Sequence, residues 1–295
     1  MKAILLGAGR GERLKPITDT IPKMLLPVVD RQLIDINMRR LFKVGVSSIG
    51  INLFHHHDLL LKHLTSRGRN IYPVVEKVLN GTGGALVNFK DFVDGDFIIH
   101  SGDVLSDIKL RDIVDFHRTH KPVATIVMIR HNGTKFRIGK DNRIDKVYAH
   151  DATPYTYAGI GVFSERVFSF FPQQDVFSIV DVFRNIIKEG ESLMGLPAVI
   201  QWYNINSHYN YWKIHHDVLR GQTALEGLAH DSPVYIARSS DVRTDALKGF
   251  VSIGEDCRVA RGVYLENTIV LPGTELTEGK YCNALIHGAS RIMVT

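Results

Sequence analysis

Cysteine is scarce in this chain: two residues in 295, Cys257 and Cys282. Two cysteines build no disulfide framework, and these form no Cys-x-x-Cys metal pattern, which fits a reducing compartment. Long apolar runs are missing too. The N-terminal MKAILLGAGRG is broken by glycine before it reaches the length of a signal peptide's apolar region. No stretch reaches the roughly 18 apolar residues of a membrane-spanning helix. Neither export nor membrane insertion is expected, and a cytoplasmic location is the expectation. Clusters of like charge are also lacking. The formal net charge of +5 favours anionic partners, but its charges are scattered, so phosphate-bearing small molecules suit it as well as nucleic acid does. Finally, the glycine-rich N-terminus is neither a Walker loop, since G-x-x-x-x-G-K-[ST] is absent, nor a good dinucleotide fingerprint, since Gly7-x-Gly9-x-Gly11 closes too early.

What remains is ordinary for a soluble globular protein, at 44% apolar and 23% charged residues. The length suits one large domain and a smaller one. Strand-like runs at 3–6, 48–53, 71–75, 97–100 and 123–129 alternate with helix-period segments at 33–45, 57–66, 83–90 and 108–119. This alternation predicts a mostly parallel sheet covered by helices, with ligands bound along the edge where the strands' carboxyl ends lie. Both 7-GAGRGER-13 and 102-GD-103 follow strands, so both belong on that edge. After residue 130 come β-rich segments at 135–139, 143–148 and 157–163, then helical signal at 176–188 and 208–220. In the tail, Ile253, Val259, Leu265 and Leu271 recur every six residues among glycine, proline and small polar residues. That period predicts a parallel β-helix with its aliphatic side chains stacked inward. A catalytic domain over 1–225 and a short β-helix domain over 230–295 are expected.

A glycine turn after a strand lets backbone N–H groups approach phosphate oxygens, and Arg13 and Lys23 add charge. Glycine spacing alone is weak. The whole stretch 7-GAGRGERLKPITDTIPKMLLPV-28 says more, because Gly9, Gly11, Arg13, Leu14, Pro16, Thr18, Pro22, Lys23, Leu25, Leu26, Pro27 and Val28 fall in one register. It resembles the signature of the sugar-1-phosphate nucleotidyltransferases, the nucleoside-diphosphate-sugar pyrophosphorylases. Glu12 before the arginine is similar to the guanylyl- and uridylyltransferases of mannose, heptose and N-acetylmuramate phosphates. The resemblance continues through 81-GTGGAL-86, 102-GD-103, 157-YAGIGVF-163 and 201-QWYNINSHYNYWKIHHDVL-219. It implies a Rossmann-like mixed α/β sheet followed by a short left-handed β-helix.

The resemblance also implies a chemistry. A sugar-1-phosphate oxygen attacks the α-phosphate of a nucleoside triphosphate and expels pyrophosphate, so the site must neutralise two polyanions. Arg13 would hold the β- and γ-phosphates, Lys23 would lie near the α-phosphate, and Asp103 would hold Mg²⁺ with Asn204 as a second ligand. Gly7, Ala8, Gly9, Gly11, Glu12, Glu76, Gly81, Thr82 and Gly102 would bind the nucleotide. Tyr157, Gly159 and Asp181 would face the sugar. GTP with a mannose- or heptose-like phosphate is favoured. The alternatives are UTP or dTTP with glucose or an amino sugar, and a non-catalytic regulatory subunit with a degenerate site. Departures from the pattern feed that last alternative. Asn204 stands where the family's second metal aspartate is usual, and Asn206 and Ser207 replace glycine and threonine. The sugar-phosphate lysine has no match, leaving His150 as a stand-in. Val180 or Asp181 stands where relatives carry a glutamate.

Two clusters receive structural readings. 55-HHH-57 with His63 reads as a loop-to-helix junction, because adjacent helical positions diverge. Trp202, Tyr203, Tyr209, Tyr211 and Trp212 lack neighbouring lysine or arginine clusters, so they read as core and pocket wall; no nucleic-acid partner is expected. The tail is expected to support homo-oligomer contacts.

Overall fold

The computed structural model describes residues 1–68, 70–148 and 154–294. Its contacts divide the chain into two compact units. One comprises Met1–Gly9, Asn37–Val104 and Ile108–Trp202; the other comprises Arg10–Ile36, Leu105–Asp107 and Tyr203–Thr295.

The first unit is built on a nine-stranded mixed sheet. Four parallel strands, Ile71–Val75, Ile49–Leu53, Lys2–Leu6 and Phe97–Ser101, lie side by side in that order. Tyr155–Phe163 then pairs antiparallel with Phe97–Ser101 and with Ala124–Arg130. Leu193–Pro197 runs parallel to Ala124–Arg130, and the hairpin Lys135–Ile138/Ile144–Tyr148 completes the sheet. The apolar runs dictate this, because strands covered on both faces need continuous aliphatics: Ile49–Leu53 is buried throughout. The sheet is therefore more mixed than strand–helix alternation predicts, since Tyr155–Phe163 enters in the opposite sense. Helices form close to the expected positions, at His57–Thr65, Leu110–His120 and Ile179–Lys188. In Leu33–Lys43, Ile34, Met38 and Leu41 are buried, while Phe42 is 37% exposed. The strands Val104–Ser106 and Leu193–Pro197 carry no clear sequence signal. The core joins Phe97, Phe136, Phe163 and Phe183 with the strand aliphatics.

The second unit contains the sequence signature and the C-terminal third of the chain. Its strands stack in parallel coils along three ladders. One runs through Val234–Ile236, residues 251–253, 268–270 and 284–286; another through Asp241–Val242, Arg258–Val259 and Glu275–Leu276; the third through residues 247–248, 265–266 and 281–282. Ile253, Val259, Leu265 and Leu271 are all buried, so the six-residue period does mark inward positions. One corner repeats as Gly249, Asn267 and Asn283, all at positive φ, with Asn267 donating to Asn283 Oδ1 at 3.2 Å. Ser290–Met293 folds back antiparallel on Gly279–His287. One hydrophobic core of this unit combines Leu14, Ile17, Leu26, Val28 and Leu33 with Tyr211, Phe250, Ile269, Leu271 and Leu285. The signature thus shares its core with the tail.

Candidate active site

In the first unit, the strands Lys2–Leu6 and Phe97–Ser101 end in register, with Leu6 opposite Ser101. The segments that follow, Gly7–Gly9 and Gly102–Asp103, therefore leave the sheet side by side. Gly102 N–H donates to Leu6 O at 2.8 Å, tying the two turns together. Asn37, fully buried, donates to Gly102 O at 2.9 Å and holds the other side of that peptide. Asp103, half-buried, follows directly.

Asn52, which the sequence reading did not single out, lies on the same edge. It is buried at the end of Ile49–Leu53, where its Oδ1 accepts from Gly7 N–H at 2.7 Å. That bond fixes the amide's orientation. The Nδ2 then donates to Glu76 Oε1 at 2.6 Å. Glu76, 7% exposed, lies just past Ile71–Val75 on the same edge. One amide thus couples the glycine turn to the carboxylate. The available signal was a polar amide inside the buried apolar run 49-IGINL-53.

The GTGGAL segment forms a short helix over Gly81–Gly84. Its glycines serve close packing. A Cβ on Gly81, whose φ is +77°, would sit 2.5 Å from Phe177 O; one on Gly83 would meet the Phe177 ring at 2.5 Å. Gly83 and Gly84 N–H both donate to Phe177 O, and Thr82 Oγ1 accepts from Ile179 N–H at 3.1 Å. The approach of Phe177 therefore requires glycine on that side of the segment.

The sugar-facing candidates differ among themselves. Gly159 sits at an irregularity in Tyr155–Phe163 with φ +81°, and a Cβ there would lie 2.6 Å from Ser101 Oγ. Tyr157 packs edge-on to Phe183 at 5.4 Å, and its hydroxyl is buried with no hydrogen-bond partner among the described residues. Burial pushes that phenol's pKa up. Asp181 caps its own helix: Oδ2 accepts from Ser178 N–H at 2.9 Å, and Oδ1 accepts from Arg184 at 2.8 Å. His150 lies outside the described residues.

In the second unit, Gly11 takes φ +67°, and a Cβ there would come within 2.7 Å of Thr18. Thr18 Oγ1 donates to Gly11 O at 2.9 Å, closing the loop that carries Glu12 and Arg13. Glu12 is exposed and paired with Lys15 at 3.4 Å; Arg13 is exposed. Lys23 is half-buried and opens the single turn Lys23–Leu25, flanked by the buried Pro22 and Met24. Beyond it, Pro27–Val28 and Arg31–Gln32 form a two-rung hairpin that turns through Val29 at φ +60°. A β-branched residue there stores roughly 1–3 kcal/mol of strain.

Asn204 precedes the helix His208–Leu219, where Ser207 is the N-cap and accepts from Asn210 N–H at 3.2 Å. Ser207 thus keeps the capping hydroxyl that a threonine would supply. The Asn204 carbonyl accepts from Asn210 at 2.9 Å, while its Oδ1 is buried without a hydrogen-bond partner among the described residues. An orphaned amide oxygen is a donor type suited to a hard cation, so the residue present fits a magnesium ligand. No group of three or more His, Cys, Asp or Glu is placed for a metal among the described residues. His56 is the N-cap of His57–Thr65 at φ +51°. Of the aromatic stretch, Tyr203 and Tyr211 are buried and Tyr209 is half-exposed.

A mixed sheet whose parallel strands end in adjacent glycine and Gly-Asp turns sets both turns on the edge where α/β proteins bind their ligands. A profile of the nucleotidyl transferase family matches residues 2–221, and the chain belongs to that family. Its relatives there are sugar-1-phosphate nucleotidyltransferases. It is 23% identical to the UTP–glucose-1-phosphate uridylyltransferase of Synechocystis, over 96% of this chain and 88% of that one. It is 24% identical to the mannose-1-phosphate guanylyltransferase of Mycobacterium tuberculosis, over 94% and 81%. In fold it matches HddC from Yersinia pseudotuberculosis at a TM-score of 0.62 and 19% identity, over 73% of this chain and 98% of that one. No described helix is long and apolar enough to cross a membrane.

Proposed function

We propose that the protein is a Mg²⁺-dependent sugar-1-phosphate nucleotidyltransferase that favours GTP and a mannose- or heptose-like phosphate. The observation that carries this reading is the pairing of Leu6 with Ser101, which sets Gly7–Gly9 beside Gly102–Asp103. Gly7, Ala8, Gly9 and Gly102 line the edge where the nucleotide lies, their lack of bulky side chains letting it approach, and Gly11 and Glu12 shape the loop that carries Arg13. Arg13 neutralises the β- and γ-phosphates, and Lys23 stabilises charge on the α-phosphate as pyrophosphate leaves. The attacking phosphate is already ionised, so no protein nucleophile is needed. Asp103 and Asn204 would hold the magnesium, which supplies charge neutralisation between phosphate oxygens. Glu76, Gly81 and Thr82 belong to the base side; Tyr157 and Gly159 belong to the sugar side, with Asp181 acting there through its helix cap.

The stacked coils are read as a short left-handed β-helix over 230–295, following a catalytic domain over 1–225, in a cytoplasmic enzyme that assembles as a homo-oligomer through the coils. The Synechocystis relative, a uridylyltransferase, favours the second reading of UTP with glucose-1-phosphate.

The test is pyrophosphate release across GTP, UTP, dTTP and ATP with mannose-, heptose-, glucose- and N-acetylglucosamine-1-phosphates. Lys23→Ala should lower turnover by about a hundredfold or more, with the melting temperature unchanged. Equal turnover in the variant overturns the assignment of Lys23. If no pair turns over and no triphosphate raises the melting temperature, the chain is a non-catalytic subunit.

A further inference from the structure

Within the second unit, one backbone carbonyl receives two buried side-chain donors. Tyr211 Oη donates to Pro27 O at 2.5 Å, and His215 Nε2 lies 2.9 Å from the same oxygen. Tyr211 is fully buried and His215 is 1% exposed. The two rings pack edge-to-face, with centroids 4.9 Å apart, one helical turn separating them in His208–Leu219. A carbonyl only accepts, so His215 carries its proton on Nε2. Its Nδ1 is buried with no hydrogen-bond partner among the described residues. Both lone pairs of Pro27 O are thereby used. Such convergence exceeds what helix packing requires.

The position of that carbonyl gives the arrangement its meaning. Proline has no N–H, so Pro27 is gripped by its oxygen alone. On its N-terminal side lies the Lys23 turn, closed by Leu25 N–H to Pro22 O at 2.8 Å and Leu26 N–H to Lys23 O at 3.2 Å. Leu33 N–H donates to Leu26 O at 3.0 Å. On its C-terminal side lies the left-handed Val29. A single turn of 3₁₀ helix next to a strained hairpin holds its shape only where its surroundings over-determine it.

We propose that Tyr211 and His215 are positioning residues for Lys23. They clamp Pro27 O so that the turn presents the lysine ammonium in one geometry for phosphoryl transfer. The inference rests on the reading of Lys23 given above. Misplacing a charged group by about 1 Å costs up to a hundredfold in rate with little effect on substrate binding. The clamp therefore acts on kcat.

The test uses the full chain and pyrophosphate release with the best substrate pair. The variants are Tyr211→Phe, His215→Leu, their double and His215→Gln, with Lys23→Ala as control. The double should lower kcat by about a hundredfold while KM for the triphosphate changes by less than about threefold. His215→Gln restores an N–H donor and should recover kcat to within about fivefold of the unmodified chain. A purely structural role would instead lower the melting temperature at unchanged kcat. Should the double fail to fold, Tyr211→Phe, which removes one hydroxyl and keeps the ring, decides alone, with a drop in kcat of about tenfold expected. Unchanged kcat in the folded variants beside an inactive Lys23→Ala overturns the clamp and leaves the lysine's role standing. An active Lys23→Ala overturns the lysine's role and the clamp with it. Absence of turnover by the unmodified chain sinks both.

Discussion

Two buried histidines show how a single residue ties this molecule to pH. His100 is held at about 3 by burial and by the charge of Arg40, although Ser101 O accepts from its Nδ1 at 2.8 Å. His215 is held at about 4 by burial and by His230, despite its bond to Pro27 O. An unfolded histidine titrates near 6.5. Between about pH 6.5 and these lower values the unfolded chain binds more protons than the folded one. The stability these residues confer is therefore complete above pH 6.5 and declines as acid is added. Urea unfolding midpoints should fall from pH 7 to pH 4, and His100→Gln should flatten that fall. An equally steep decline in the variant would show that the acid response originates elsewhere.

Among elements, the decisive feature is the shared edge at which several parallel strands stop. Asn52 links two of those endings by bonding Gly7 and Glu76 at once. Replacing it with alanine strands a buried N–H and a buried carboxylate, a cost of about 1–3 kcal/mol for each group. Asn52→Ala should weaken triphosphate binding by about tenfold and lower the melting temperature, as read by thermal shift with and without GTP or UTP. A ligand-induced shift equal to that of the unmodified chain would remove Asn52 from the site.

Most of these elements were visible as periodicity, because apolar runs and helical faces are local properties. The register of Leu6 with Ser101 was not, because it joins strands far apart in the sequence. The signature residues were readable because charge and glycine fall in one register across 7–28. Asn52, Tyr211 and His215 were not, because their partners lie 45, 184 and 188 residues away. The packing of 81-GTGG-84 was hidden for a related reason: its crowding comes from Phe177, which no local pattern reveals. Asp181 likewise looks free for a ligand until Ser178 and Arg184 are seen to occupy its oxygens.

For the whole molecule, the contact division departs from the sequence order. Arg10–Ile36 groups with Tyr203–Thr295, and Leu14, Leu26 and Leu33 share a core with Phe250, Ile269 and Leu285. Thr20 Oγ1 also lies 2.6 Å from His287 Nε2. Ending the chain at residue 225 would therefore expose the apolar underside of the signature. Such a truncation should be poorly soluble and inactive, as judged by size-exclusion chromatography and pyrophosphate release. A monodisperse fragment with full turnover would show that the coils are dispensable.

The bond from Thr20 to His287 also bears on how the protein is made. Its partners are 267 residues apart, and contacts of such long sequence separation form late and slowly. The segment around Thr20 finds this companion only after the much later strand Gly279–His287 has been made. Until then the apolar residues Leu14, Leu26 and Leu33 await cover, and a chaperone that shields them would act before the coils are complete.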